Sequence, residues 1–286
     1  MFYFGLAFLF CSVFFGYLII GGNIRVLFQP AEWMIIIGAA VGSYIIANSS
    51  VIIKDMLSQV KKIGRQSPYD KKSYINLLLF MYNFFQFSHS KGLMEVESQI
   101  EDINNSTLFS NFINISTDQA AVNFFCDYFR IISLGFDNVQ ELEYMMENDL
   151  NARRKQAQAV SQSLLRIADA LPALGIVAAV LGVICAMASV GSDPAVLGPK
   201  IASALVGTFI GAFSSYGIVN PFAYRITRFK EEELRFLDCI KAAIIAHVSG
   251  YAPSISIEYA RQTIPTVFKP DFFEIEAGIS DINKIK

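Results

Sequence analysis

Histidine is scarce in this chain, with only His89 and His247 among 286 residues. That scarcity argues against a histidine-built metal centre or nucleophilic triad. The four cysteines, Cys11, Cys126, Cys185 and Cys239, are scattered and form no CxxC pair. They read as free thiols of a reducing compartment rather than a disulfide framework or a metal knot. No nucleophile, base and orienter can be assembled from these residues, so an enzyme reading has no support. Net charge is −2, which leaves no basic excess for nucleic acid. The most informative absence is charge over long stretches. Hydrophobic residues make up 53% of the chain and charged residues 17%, with a mean hydropathy of +0.43. This is the composition of an integral membrane protein with sizeable aqueous segments.

Four uncharged runs are long enough to cross a hydrocarbon core about 30 Å thick as helices. The first, 1–24, has no positive n-region and no convincing cleavage site, so it reads as a retained span rather than a signal peptide. The second runs from Met34 to Ile53, after a short link holding Pro30 and the interfacial aromatic Trp33. The third and fourth lie within 167–224 and are joined by Gly191-Ser192-Asp193-Pro194. Asp169 and Asp193 bound 23 uncharged residues, and Lys200 and Arg225 bound 24. Small residues recur four apart on both: Ala178, Gly182 and Ala186 on one, and Ser203, Gly207, Gly211 and Ser215 on the other. Lipid gives no hydrophobic drive for helix association, so such faces let backbones approach. Simple hairpin packing accounts for them. Pro172 and Pro221 suggest more, since a proline within a helix leaves a kink and a carbonyl that needs another partner.

Lysine and arginine set the orientation. Twelve lie from Lys54 to Arg166 and nine after Tyr224, with one in each short link. The positive-inside rule places the middle segment, the tail and both termini in the cytoplasm. The expected fold is therefore an all-α integral membrane protein with four transmembrane helices and a helical cytoplasmic domain formed by the 2–3 loop and the C-terminal tail. Its parts are spans one and two (1–53), a cytoplasmic helical segment (54–166), the hairpin (167–224) and a cytoplasmic helix and tail (225–286). In the cytoplasmic segment, Ser67-Pro68 reads as the start of one helix. Ser116 or Thr117 reads as the cap of another, whose stripe is Ala121, Phe124, Phe125, Tyr128 and Ile132 and whose stop is Gly135. From Asp137 the pattern continues unbroken into the third span. The fourth runs on until Gly250 and Pro253, a helix follows from Ser254 to Thr263, and a mixed-charge tail completes the chain.

No ionisable group is expected inside the four spans, so a titrating carboxylate for an ion path would have to come from a partner. Thr208, on a stripe with Ala204 and Ala212 opposite the glycine face, could line such a path or bond back to its own helix. Ala179 has a plain packing alternative. Asn220 and Ser214 are expected to satisfy local backbone, including the group freed by Pro221. Two charge clusters, His89, Lys91, Glu95 and Glu97 around Gly92, and Glu147 and Asp149 with Arg153 and Arg154, fit solvated faces equally well.

The run from Ala168 to Gly182, ADALPALGIVAAVLG, resembles the third membrane helix of the MotA family, the ion-conducting stator subunits of the bacterial flagellar motor. Val206-Gly207-Thr208-Phe209 and Tyr216-Gly217, followed by Pro221, resemble the fourth. The likeness extends to Gly21-Gly22, Gln29-Pro30-Ala31-Glu32, Gly38 to Ser43, Gly250-Tyr251-Ala252-Pro253 and Phe272-Phe273-Glu274. The resemblance implies a bacterial inner-membrane protein forming a ring of five copies in lipid around a dimer of MotB-type, peptidoglycan-binding subunits, whose membrane aspartate supplies the carboxylate. It implies no cofactor, only a transported ion. Ala179 stands where sodium-driven relatives carry threonine, and the missing oxygen ligand points to protons. By the same resemblance Thr208 lines the ion path, and Pro172 and Pro221 couple ion binding to shape change. His89, Lys91, Glu97 and Glu147 would meet the rotor switch protein FliG. His89 replaces the usual arginine, and since an imidazole is a weaker base than a guanidinium the contact there is altered, with Lys91 able to substitute. Two rivals remain: an ExbB- or TolQ-like energiser of an outer-membrane process, and a stand-alone channel or scaffold.

Overall fold

The computed structural model describes residues 2–62, 67–103, 106–110, 118–188 and 194–285. Every regular element among them is helical. In order they are α1 (Phe2–Ile19), α2 (Ile24–Leu27), α3 (Pro30–Ala47), α4 (Ser50–Lys62), α5 (Lys71–Lys91), α6 (Leu93–Glu101), α7 (Thr107–Ser110), α8 (Gln119–Ser133), α9 (Val139–Met187) and α10 (Pro194–Ala212). A seven-residue π-helical segment, Phe213–Val219, leads into α11 (Asn220–Val248), and α12 (Pro253–Thr263) and α13 (Phe272–Ile285) follow. The chain falls into two compact units, 1–66 with 156–228 and 67–155 with 229–286.

The first unit holds the apolar helices. Four helical stretches, Phe2–Ile19, Ile24–Ala47, Val139–Met187 and Gly198–Val248, are long and apolar enough to cross a membrane. The last two are far longer than the roughly 20 residues a crossing needs, and their charge-free portions are those already noted. α1 buries none of its residues, and Phe4, Phe8 and Phe15 are each more than three-fifths exposed. An apolar surface of that kind suits lipid or neighbouring copies rather than water. Pro30 occupies the first turn of α3, where a missing N–H costs nothing and the fixed φ favours helix. Asn48 closes α3 by donating backbone N–H and side-chain Nδ2 to the Tyr44 carbonyl at 3.1 and 2.8 Å. The second span thus starts four residues before Met34 and ends before Ile53. The early start also draws Glu32, which precedes the expected uncharged run, into the helix, where it is buried.

The second unit is a helical domain with an aromatic core. Phe84 meets Phe125 and Phe129 edge-on, each at 4.7 Å between ring centroids, and Phe80 meets Phe109 at 5.0 Å. The expected stripe of α8 is buried throughout. Its cap is Asp118, which accepts from the N–H groups of Ala120 and Ala121; Ser116 and Thr117 lie outside the described residues. Gly135, at φ 87°, ends that stretch in a conformation that favours glycine. α5 starts at Lys71 rather than Ser67-Pro68, because Asp70 is its cap, accepting from the Ser73 N–H at 2.8 Å. The Pro68 carbonyl instead accepts from the Ser73 hydroxyl at 2.5 Å. The mixed-charge tail forms α13, whose Ile275 is buried in the aromatic core.

Candidate functional site

The small residues of α9 and α10 meet along one seam. A Cβ built on Gly211 would stand 2.6 Å from the Leu171 carbonyl oxygen and 2.9 Å from Gly175 Cα. One built on Gly175 would lie 2.8 Å from the Gly207 oxygen, and one on Gly182 would lie 2.8 Å from Ala204 Cβ. No side chain fits there, so these positions set how closely the helices approach. The seam includes Gly175 and Ala204, with Ala204 on the packing face rather than on an opposite stripe with Thr208. Thr208 itself is exposed in the single chain, and Ala179 is half-buried. They share one level: a Cβ on Gly207 would come 3.3 Å from Ala179 N, and Thr208 is the next residue in sequence. The linking residues Gly191, Ser192 and Asp193 lie outside the described residues, and Pro194 begins α10.

Pro172 lies within α9 and frees the carbonyl four residues earlier, that of Ala168. The Ser215 hydroxyl donates to that carbonyl across the hairpin at 2.5 Å, with Ser215 and Ala168 both fully buried. Ser215 belongs to the π-helical segment, whose wider turn also suits Pro221. There the Asn220 N–H bonds the Ser215 carbonyl five residues back. Ser214 and Asn220 were expected to satisfy local backbone, including the group freed by Pro221; at Pro172 the cross-helix donor is Ser215, read from sequence only as a packing residue. Its signal was available: a small hydroxyl residue on a packing face opposite a helix proline.

Glu32 was missed, although Pro30 at the first helical position is a readable start signal. Its side chain reaches the same seam: a Cβ on Gly207 would lie 2.7 Å from Glu32 Oε2, and one on Gly182 would lie 3.3 Å from Oε1. Glu32 is 5% exposed, and Oε2 has no hydrogen-bond partner. Elsewhere in the first unit, Ser161 and Thr227 share a short hydrogen bond, and the Tyr44 hydroxyl lies 3.2 Å from Ser163 Oγ.

In the second unit, His89, Lys91 and Glu97 are exposed on either side of Gly92, whose φ of 82° ends α5. The His89 ring stands edge-on to His247 at 5.1 Å, and His247 stacks on Phe85 at 4.3 Å. Glu147 is differently placed. It makes a short ion pair with Lys241, which also lies 3.8 Å from Asp238. Asp149 pairs with Arg153 at 2.9 Å. Glu147 is thus held by its own chain, whereas the cluster around Gly92 faces solvent. Burial pushes the Cys126 thiol up to about 12, so it carries no thiolate at neutral pH. No three metal-binding side chains converge among the described residues.

Against known proteins, the Motility protein A N-terminal family description fits residues 3–92, and the MotA/TolQ/ExbB proton channel family description fits residues 119–238. The chain is 36% identical to Motility protein A of Escherichia coli over 268 residues, covering 94% of this chain and 91% of that one. It is 32% identical to Chemotaxis protein LafT of Vibrio parahaemolyticus, covering 94% of each. Its fold is similar to that of MotAB of C. jejuni, with a TM-score of 0.77 at 18% identity over 92% of this chain and 94% of the other. For the flagellar MotAB stator complex of Bacillus subtilis the TM-score is 0.71 at 20% identity, covering 93% and 96%. Four apolar helices, a glycine-lined hairpin with a proline on each arm and identity spread over nearly its whole length show that this chain belongs to the motility protein A family.

Proposed function

We propose that this chain is the ion-conducting stator subunit of a bacterial flagellar motor, coupling proton flow across the inner membrane to torque together with a MotB-type partner. The observation that carries the reading is identity to motility protein A over nearly the whole chain, the hairpin included. The seam explains what the hairpin contributes. Close backbone contact gives a compact wall, and exposed Thr208 with half-buried Ala179 present that wall to a neighbour. The partner's membrane aspartate then supplies the titrating carboxylate, and a ring of five copies surrounds the paired partner helices. Pro172 and Pro221 give the wall its two bendable points, each tied to the π-helical segment. Rotor contact falls to His89, Lys91 and Glu97, which are exposed, rather than to Glu147, whose charge is already matched by Lys241. The transported ion is a proton, since Ala179 offers no oxygen ligand to a hard cation.

Deleting the gene tests the reading directly. Cells that assemble filaments but do not swim, and that recover on complementation, support it; unaffected swimming sinks it. The ExbB- and TolQ-like alternative is disfavoured by the four apolar helices, because those relatives typically have three. A reporter fused before Met1 that appears outside the cell would revive it.

A further inference from the structure

Among the described residues of the hairpin seam, Glu32 is the side chain that neither packing nor hydrogen bonding explains. It is 5% exposed and Oε2 has no hydrogen-bond partner, yet both oxygens press against α9 and α10 where only glycine leaves room, at Gly182 and Gly207. The carboxylate lies against Gly207, which adjoins both positions assigned to the ion path. Gly207 precedes Thr208, and a Cβ there would be 3.3 Å from Ala179 N. The charged groups on the surrounding elements are Arg25 on α2 and Lys200 on α10, both exposed, with Arg166 and Asp169 several turns away along α9. Among the described residues none of them forms an ion pair with Glu32.

An ionised carboxylate enclosed in this way needs a counter-charge. A metal cation takes six or more oxygen ligands, and the lining here, Ala178, Gly182, Ala204 and Gly207, carries no side-chain oxygen. A proton needs only the carboxylate. We propose that Glu32 is a second protonatable carboxylate on the ion path, contributed by this chain, that takes up the transported proton from the side of the short links and passes it inward. The proton bonds to Oε2 and converts the anion to a neutral acid. It then leaves toward the partner's carboxylate at the level of Thr208, restoring the anion, and no electron changes hands. The inference rests on the ion-path reading of the hairpin.

The test uses the full chain co-purified with its peptidoglycan-binding partner and reconstituted in vesicles loaded with a pH-sensitive dye. Glu32→Gln keeps the shape and removes the titrating group. It is expected to co-purify normally while proton flux falls by about a hundredfold, the lower end of what a positioned proton-transfer group contributes. Glu32→Asp keeps the acid and should retain measurable flux. Infrared difference spectra of the complex between high and low pH should show a protonated-carboxyl band that Glu32→Gln removes. Wild-type flux in Glu32→Gln, or an unchanged band, overturns the role of Glu32 and leaves the ion path standing. A wild-type complex that passes no protons overturns the path itself and this inference with it. Should Glu32→Gln fail to assemble, Glu32→Asp decides: an assembled complex without flux or band rules the proposal out.

Discussion

Ser215 shows how a single hydroxyl can make a helix proline tolerable. Pro172 frees the Ala168 carbonyl in an apolar setting, and a buried acceptor left unpaired there costs about 1 to 3 kcal/mol. The Ser215 hydroxyl meets it at 2.5 Å. Ser215→Ala should therefore lower the thermal stability of the detergent-solubilised protein by a loss on that scale, with Ser215→Thr recovering part of it. An unchanged unfolding temperature in Ser215→Ala would mean another group satisfies the carbonyl. Thr208 makes the opposite kind of prediction, because it is exposed in the single chain. Thr208→Phe should leave the complex assembled with its partner yet stop proton flux into vesicles; undiminished flux would remove Thr208 from the path.

The α9/α10 hairpin depends on glycine for its spacing. A Cβ at Gly211 would lie 2.6 Å from the Leu171 carbonyl oxygen, a backbone atom that cannot rotate away. Gly211→Ala must push the helices apart, at a cost of about 1 to 3 kcal/mol for overpacking. Separation would also stretch the Ser215 to Ala168 bond on the next turn. The change is measurable as a lowered unfolding temperature together with slower disulfide formation between cysteines placed across the seam. Retention of both would show that the seam is looser than its backbone contacts imply. The π-helical segment belongs to the same assembly of parts: its i to i−5 bond at Asn220 absorbs Pro221 without breaking the helix.

For the molecule as a whole, the two units are built on different principles. The first buries little and exposes apolar side chains, as suits lipid and neighbouring copies; the second has a closed aromatic core in which removing one phenylalanine, such as Phe84, would cost about 3 to 5 kcal/mol. The second unit also carries carboxylates with lowered values. Hydrogen bonding from the Ser73 N–H holds the Asp70 carboxyl below the usual range, and the Arg261 guanidinium does the same for Glu258. A folded value below the unfolded one means that the stabilisation is complete above the ordinary values of 3.8 and 4.5 and drains away as pH falls through them toward the lowered folded values. Melting temperature against pH should therefore decline through that acidic window. Asp70→Asn, which retains a capping oxygen but cannot titrate, should flatten part of the decline; an unaltered pH profile would assign the loss to other groups.

Apolar length and helical period are local properties, so the sequence alone determined the four crossing stretches, the α8 stripe, the unbroken run into α9 and the small-residue faces of the hairpin. Long-range pairing is not local. Ser215 and Ala168 are 47 residues apart, and their contact depends on how far each helix is rotated about its axis and how closely glycine lets the backbones approach. Only the tertiary structure decided that, as it decided that Ala204 rather than Ser203 meets Gly182. Glu32 lies between the two cases. Pro30 announced its helix, but the place of its carboxylate is settled only by the two facing helices, each of which shows a glycine where it must fit.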